Sequence, residues 1–216
     1  MNDNTNVGGE QGAGSEGGAQ KGAGFDPEKI KAFLKGLWDK ALDFLATPQQ
    51  AWERAAAETT SPADLYRSYL LPMGAIPAIG LFFGMLFAGA GIRTAFVIAF
   101  FIYLFMMVGI AAFVLVLEIV APKFQASITR ANAFKLAGYS MTASFVSGIL
   151  YLVPIQLLTV LAGIASLYSL YLLWLGLPRM AAVPEENVPK FFVVSLLVAL
   201  AVTVVFGIVV TVLLMP

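Results

Sequence analysis

The sequence predicts an all-α polytopic membrane protein: a helical bundle with five transmembrane helices, preceded by a short amphipathic helical segment and a disordered tail. Three observations carry that prediction. Hydrophobic residues make up 59 % of 216 residues and charged ones 12 %, more apolar surface than a water-soluble globule of this size can enclose. The charges are unevenly placed, since the first 68 residues hold 17 of the 26 and the other 148 hold 9. Five stretches, about 69–89, 94–117, 136–153, 155–175 and 191–214, are apolar and free of charge, and roughly 20 residues at 1.5 Å each match a hydrocarbon core about 30 Å thick.

Residues 1–24 contain 8 glycines and one large aliphatic side chain, Val7. Ordering them would cost backbone entropy with almost no apolar burial to offset it, which predicts a disordered tail. No basic region followed by an apolar run lies in the first 30 residues, so the first span is expected to act as its own membrane signal.

Residues 25–68 read as a cytoplasmic helical segment. Asp26 and Pro27 are an N-cap and first helical position, and Glu28 favours the positive end of the helix dipole. Ile30, Phe33, Leu34, Leu37, Ala41 and Leu45 recur at helical spacing, with most charges on other faces. Two readings remain open: a helix lying on the lipid surface through Phe33, Leu34, Leu37 and Trp38, with Phe44 at the headgroup boundary, or a helix docked on protein. Thr47-Pro48 and Ser61-Pro62 repeat the cap-then-proline signal and predict two further short helices.

Residues 69–216 form the expected membrane domain. The second stretch is the clearest, because 15 of its 24 residues are Leu, Ile, Val or Phe, each favouring insertion by about 0.3–0.6 kcal/mol near the bilayer centre. The charge-free run from Leu136 to Leu175 is too long for one crossing, and Pro154 is the expected corner of a hairpin. With five spans, 12 Lys and Arg fall on one side and Arg93 alone on the other, which places the N-terminus in the cytoplasm and the C-terminus outside.

Candidate functional residues are few. The chain has no Cys and no His, so thiolate and imidazole metal sites, disulfides, cysteine nucleophiles and histidine bases are excluded, and no catalytic residue or cofactor is expected. A net charge of zero offers no field for nucleic acid. Glu118 falls at the end of span two, where water or Lys123 would solvate it. Gly80, Gly84 and Ala88 put three notches on one face of span one, suited to intramolecular packing or to homo-oligomerisation, and Pro72 and Pro77 predict a kink there. Gly138, Ser144 and Gly148 lie among the hydroxyl and small residues of spans three and four, which serve either helix packing or a polar lumen.

The order of these last spans carries a resemblance. Gly138-Tyr139-Ser140, the Pro154 corner, Tyr168-Ser169-Leu170-Tyr171 and Gly176-Leu177-Pro178 resemble the Yip family (Ypt/Rab-interacting protein, the Yip-one domain), particularly its bacterial members, over roughly residues 47–214. The resemblance implies five spans and a cytosolic N-terminus. Eukaryotic relatives act in vesicle traffic by binding prenylated small GTPases and each other. Their Asp-Leu-x-Gly-Pro signature is replaced here by Asp64-Leu65-Tyr66-Arg67, and no functional residue is carried over. The leading expectation is a non-enzymatic membrane scaffold or adaptor for lipid or protein partners in a bacterial inner membrane. A small transporter or channel subunit using the polar residues of spans three and four is the alternative.

Overall fold

The computed structural model describes residues 26–214, with side chains through Ala201 and at Val204. The expected tail over residues 1–24 lies outside them. Every regular element among the described residues is helical.

The N-terminal caps fold largely as their chemistry dictates. The Asp26 carboxylate accepts the Glu28 N–H at 3.1 Å and opens α1, Pro27–Ala46. Thr47 precedes α2, Pro48–Ala57, but its hydroxyl donates back to Asp43 O at 3.2 Å and so closes α1 instead of capping α2. The Ser61 hydroxyl accepts the Asp64 N–H at 3.1 Å and opens α3, Pro62–Leu65. That helix is not separate from the first long one. It runs through a π turn, Tyr66–Leu70, into α4, Leu71–Phe87. Pro72 has no N–H to donate, and the preceding Leu71 N–H reaches back five residues to Tyr66 O, so the widened turn absorbs the proline. Tyr66 and Tyr103 pin this turn by donating to Met107 O at 3.2 Å and Leu71 O at 3.1 Å.

Gly89, at φ +87°, turns the chain into α5, Ile92–Val120, which tightens into a 3-10 turn at Ala121–Phe124. Beyond it Thr129 caps α6, Arg130–Ser140, followed by α7, Thr142–Ser147, and a 3-10 turn, Gly148–Leu152. The chain leaves the helix at Val153–Ile155, around Pro154, and α8, Gln156–Ser166, folds back against α7. Then come α9, Tyr168–Ala181, and α10, Val188–Leu214.

Among the described residues three helical stretches are long and apolar enough to cross a membrane: Pro62–Phe87, Ile92–Phe124 and Gln156–Ala181, the last tightened by a turn at Leu167. The expected span 136–153 is not one helix. It is interrupted at Met141 and winds into a 3-10 turn before Pro154. It also begins earlier, at Arg130, and brings a charge with it, because Lys135 is buried within α6. Glu118 is paired by Arg130, with Nε and Nη2 each at 2.9 Å from a carboxylate oxygen, and not by Lys123.

The interior gathers around α6, where seven residues of eleven are buried, Tyr139 among them. Helices α5 and α9 pack against it, and large apolar side chains such as Phe96, Phe101, Leu115 and Ile119 of α5 point outward. That inverted surface suits hydrocarbon rather than water.

Candidate functional site

The most elaborate polar arrangement lies where the N-terminal segment meets α6. Leu37, Ala41 and Phe44 recur at i, i+4 and i+7 and turn one face of α1 inward, with Ala41 and Phe44 fully buried. Phe44 stacks on Tyr139 at 4.7 Å between centroids and meets Trp52 of α2 edge-on at 5.0 Å. Tyr69, from the π turn, packs edge-on against Tyr139 at 4.9 Å. Such pairs contribute about 0.5–1.5 kcal/mol beyond the area they bury.

Above this aromatic floor sits a charge cluster. Lys40 Nζ donates to Glu58 Oε2 at 3.0 Å and lies 2.8 Å from Oε1, and it also donates to the Tyr139 hydroxyl at 2.9 Å. The Tyr139 hydroxyl donates to Glu58 Oε2 at 3.0 Å. One face of α1, the linker after α2 and the C-terminal end of α6 are thereby tied at a single point. Lys135 completes the arrangement from one turn below: its ammonium donates to Ala55 O at 2.9 Å and to Glu58 O. These are carbonyls at the end of α2, where a cation meets the negative end of the helix dipole.

The other expected site residues are placed as follows. Phe33, Leu34, Trp38 and Leu42 of α1 are 45, 53, 44 and 44 % exposed; Leu34, Trp38 and Leu42 share the outer side at i, i+4 and i+8, whereas Phe33 lies on the other flank of the buried stripe and lines a groove with Tyr69 and Tyr139. Leu37 and Phe44 are not on the outer face; the helical period carries both to the inner one, against the core. Gly80 and Gly84 are buried against the hairpin. A Cβ on Gly80 would stand 2.6 Å from Gly148 O, and one on Gly84 would run into Tyr151 O. Gly148 is in turn filled by Pro77, and a Cβ on Gly138 would stand 2.8 Å from Leu70 Cδ2. Ala88 is the exposed C-cap of α4, where the helix ends short of the contact. Ser144 faces Ser169, with hydroxyls 2.9 Å apart.

The Yip1 domain matches residues 42–211. The chain belongs to the Yip1 family. It is 29 % identical over 151 residues to the inner membrane protein YohC of Escherichia coli strain K12, covering 65 % of this chain and 77 % of that protein. The YohC protein of Escherichia coli O6:H1 strain CFT073 matches to the same extent. No solved structure matches.

Several residues that carry the Yip1 resemblance converge on the α1–α2 docking site. Tyr139 stands at its centre, Gly138 admits Leu70, and Tyr168 donates to Leu45 O at 3.3 Å across α1. Gly176 leaves the space that Trp52 fills. Hydropathy alone misses Lys40, Glu58 and Lys135, because they are charges in an N-terminal segment and a loop boundary. The signal that could have found them is their coincidence with Tyr139, a phenol next to a glycine in an otherwise apolar run.

Proposed function

We propose that this Yip1 protein is a non-enzymatic membrane scaffold of the bacterial inner membrane. Its amphipathic helix α1 is held rigidly on the bundle so that a second apolar face is presented at the membrane surface. The observation that carries this reading is the division of α1: Leu37, Ala41 and Phe44 are spent on the core, whereas Leu34, Trp38 and Leu42 remain bare. A helix fixed by the Lys40–Glu58–Tyr139 cluster keeps its outer face in one orientation, so lipid or partner binding requires no further ordering of α1.

The bundle is proposed to cross the bilayer five times, with residues 25–68 cytoplasmic, residues 69–216 in the membrane and the C-terminus outside. The distribution of 12 Lys and Arg against 1 supports that orientation. Residues 130–152, though broken, have the combined length of a crossing, and the interruption at Met141 is flanked by the buried Ser140 and Thr142, which supports its being shielded from lipid. Gly80, Gly84, Gly138, Ser144 and Gly148 serve helix packing inside one chain. Their close contacts with Pro77, Leu70 and the hairpin backbone support that over homo-oligomerisation.

The test is photocrosslinking in native membranes from a diazirine side chain at Trp38, compared with one at Lys29, which is exposed on the opposite side of α1. Adducts with lipid or with a discrete protein at position 38 and not at 29 support the scaffold reading. Equal labelling by water at both positions removes it.

A further inference from the structure

The two central helical columns are interrupted side by side, and each interruption is repaired by the other. In the first column the ladder skips Ser144: Met141 N–H bonds Gly138 O at 3.2 Å, and the Ser144 N–H donates not to Ser140 O but to Ser169 Oγ at 3.1 Å. In the second column Leu167 N–H bonds Ile164 O at 3.1 Å and Leu170 N–H bonds Leu167 O at 3.0 Å. These three-residue bonds leave Ser166 O outside the helical ladder, and Ser144 Oγ lies 3.5 Å from it. One proton arrangement satisfies the whole set: Ser144 N–H to Ser169 Oγ, Ser169 O–H to Ser144 Oγ, and Ser144 O–H to Ser166 O. In a bilayer interior, where no water substitutes for a missing partner, a freed N–H or C=O requires such a replacement.

On one side of this junction α6 and α9 pack on each other and hold Trp52 of the docked segment; on the other, α7, the 3-10 turn and α8 form the Pro154 hairpin. The hairpin leans on α4, where Gly80 and Gly84 let backbone approach backbone. Apart from Ala162, α8 has no buried residue, so its outer side is unrestrained by the bundle.

We infer that the Ser144–Ser169 exchange is a paired hinge, about which the hairpin Thr142–Ser166 tilts as one unit relative to α6 and α9. Each column supplies the hydrogen bond that the other needs to bend, so neither bends alone. This goes beyond the scaffold reading and does not depend on it, since it concerns how the hairpin moves and not what binds α1.

The experiment is amide hydrogen exchange on the full chain in lipid nanodiscs. In the wild-type protein the amides of Met141–Ser147 and of Leu167–Leu170 exchange at a common rate. Ser169→Ala raises exchange across Met141–Ser147, and Ser144→Ala raises it across Leu167–Leu170, each by about fivefold, the scale of one lost hydrogen bond. The double variant goes no further than either single one. Ser169→Thr, which keeps the hydroxyl, returns the rates towards wild type, and Ser166→Ala, whose hydroxyl serves Gly163 O in its own helix, moves only α8. Substitutions that act only within their own helix, or a double variant equal to the sum of the singles, overturn the hinge. Should the alanine variants not fold, the wild-type protein still decides, because unequal rates at the two interruptions overturn it equally.

Discussion

Gly176 and Trp52 occupy one space: a Cβ on Gly176 would stand 2.7 Å from Trp52 Cζ2 and 2.6 Å from Leu136 Cδ1. The indole of α2 is thus seated directly on the backbone of α9, and a side chain there must displace the N-terminal segment. Gly176→Leu is expected to destabilise the protein in detergent by about 1–3 kcal/mol through overpacking. Gly163→Ala, with nothing within 4 Å of its Cβ, is expected to be nearly silent. Thermal melting of the two variants checks this; equal melting temperatures would remove the seating of Trp52 as a constraint.

Tyr139→Phe separates the ring from the hydroxyl. The stack on Phe44 is kept, while the bonds to Glu58 and Lys40 are lost. A loss of about 0.5–1.5 kcal/mol is expected, against about 3–5 kcal/mol for Tyr139→Ala, which empties the centre of the cluster. The Lys40–Glu58 pair is a third exposed on each side, so a double-mutant cycle on it is expected to give only about 0.5–1 kcal/mol. A cycle energy near zero with an unchanged Tyr139→Phe protein would mean that the aromatic contacts alone hold α1.

How far these features were legible follows from the kind of force involved. Asp26, Ser61 and Pro154 act through local backbone chemistry, and their helix starts and corner stand where the sequence put them. Burial of Lys135 was not legible, because its partners are carbonyls about 80 residues away in sequence. The interruption at Met141 was hidden for a related reason: hydropathy averages over Ser144 and Ser169, whereas the structure pairs them one to one. Residue period did reveal an apolar stripe on α1. It could not say that the stripe is wide enough to serve two surfaces, and so Leu37 and Phe44 fell on the wrong one.

Gly84→Leu is expected to separate α4 from the hairpin and lower detergent stability by about 1–3 kcal/mol, since the added side chain meets Tyr151 O and not a side chain that can rotate away. Leu81→Ile, three positions earlier in α4, keeps its volume and is expected to cost less than about 1.5 kcal/mol. Similar melting of both would leave the α4 glycines without a packing role.

Because the chain contains no Cys, single-Cys variants report topology cleanly. A thiol at Ser127 or Glu186 is expected to react with an impermeant maleimide only from the cytoplasmic side, and one at Gly91 only from outside. Labelling of Glu186→Cys from outside would break the five-span topology at the Pro154 hairpin.

The outer face of α1 distinguishes a bilayer from water by depth. If Leu34, Trp38 and Leu42 enter the lipid surface, each buries apolar area worth about 25 cal/mol per Å². Charge contributes little, because Asp26, Glu28, Asp39 and Asp43 offset Lys29, Lys31, Lys35 and Lys40, and three of these four lysines are paired within α1 itself. Insertion is therefore expected to resist salt. A fluorophore on Trp38→Cys or Leu42→Cys in reconstituted vesicles is expected to be quenched by lipids brominated near the headgroup and shielded from iodide, with the reverse at Lys29→Cys on the opposite side of α1. Raising the ionic strength tenfold should leave both patterns in place. Iodide access at position 38 equal to that at position 29 would put the outer face in water, and the stripe Leu34, Trp38 and Leu42 would then be the surface on which to seek a protein partner.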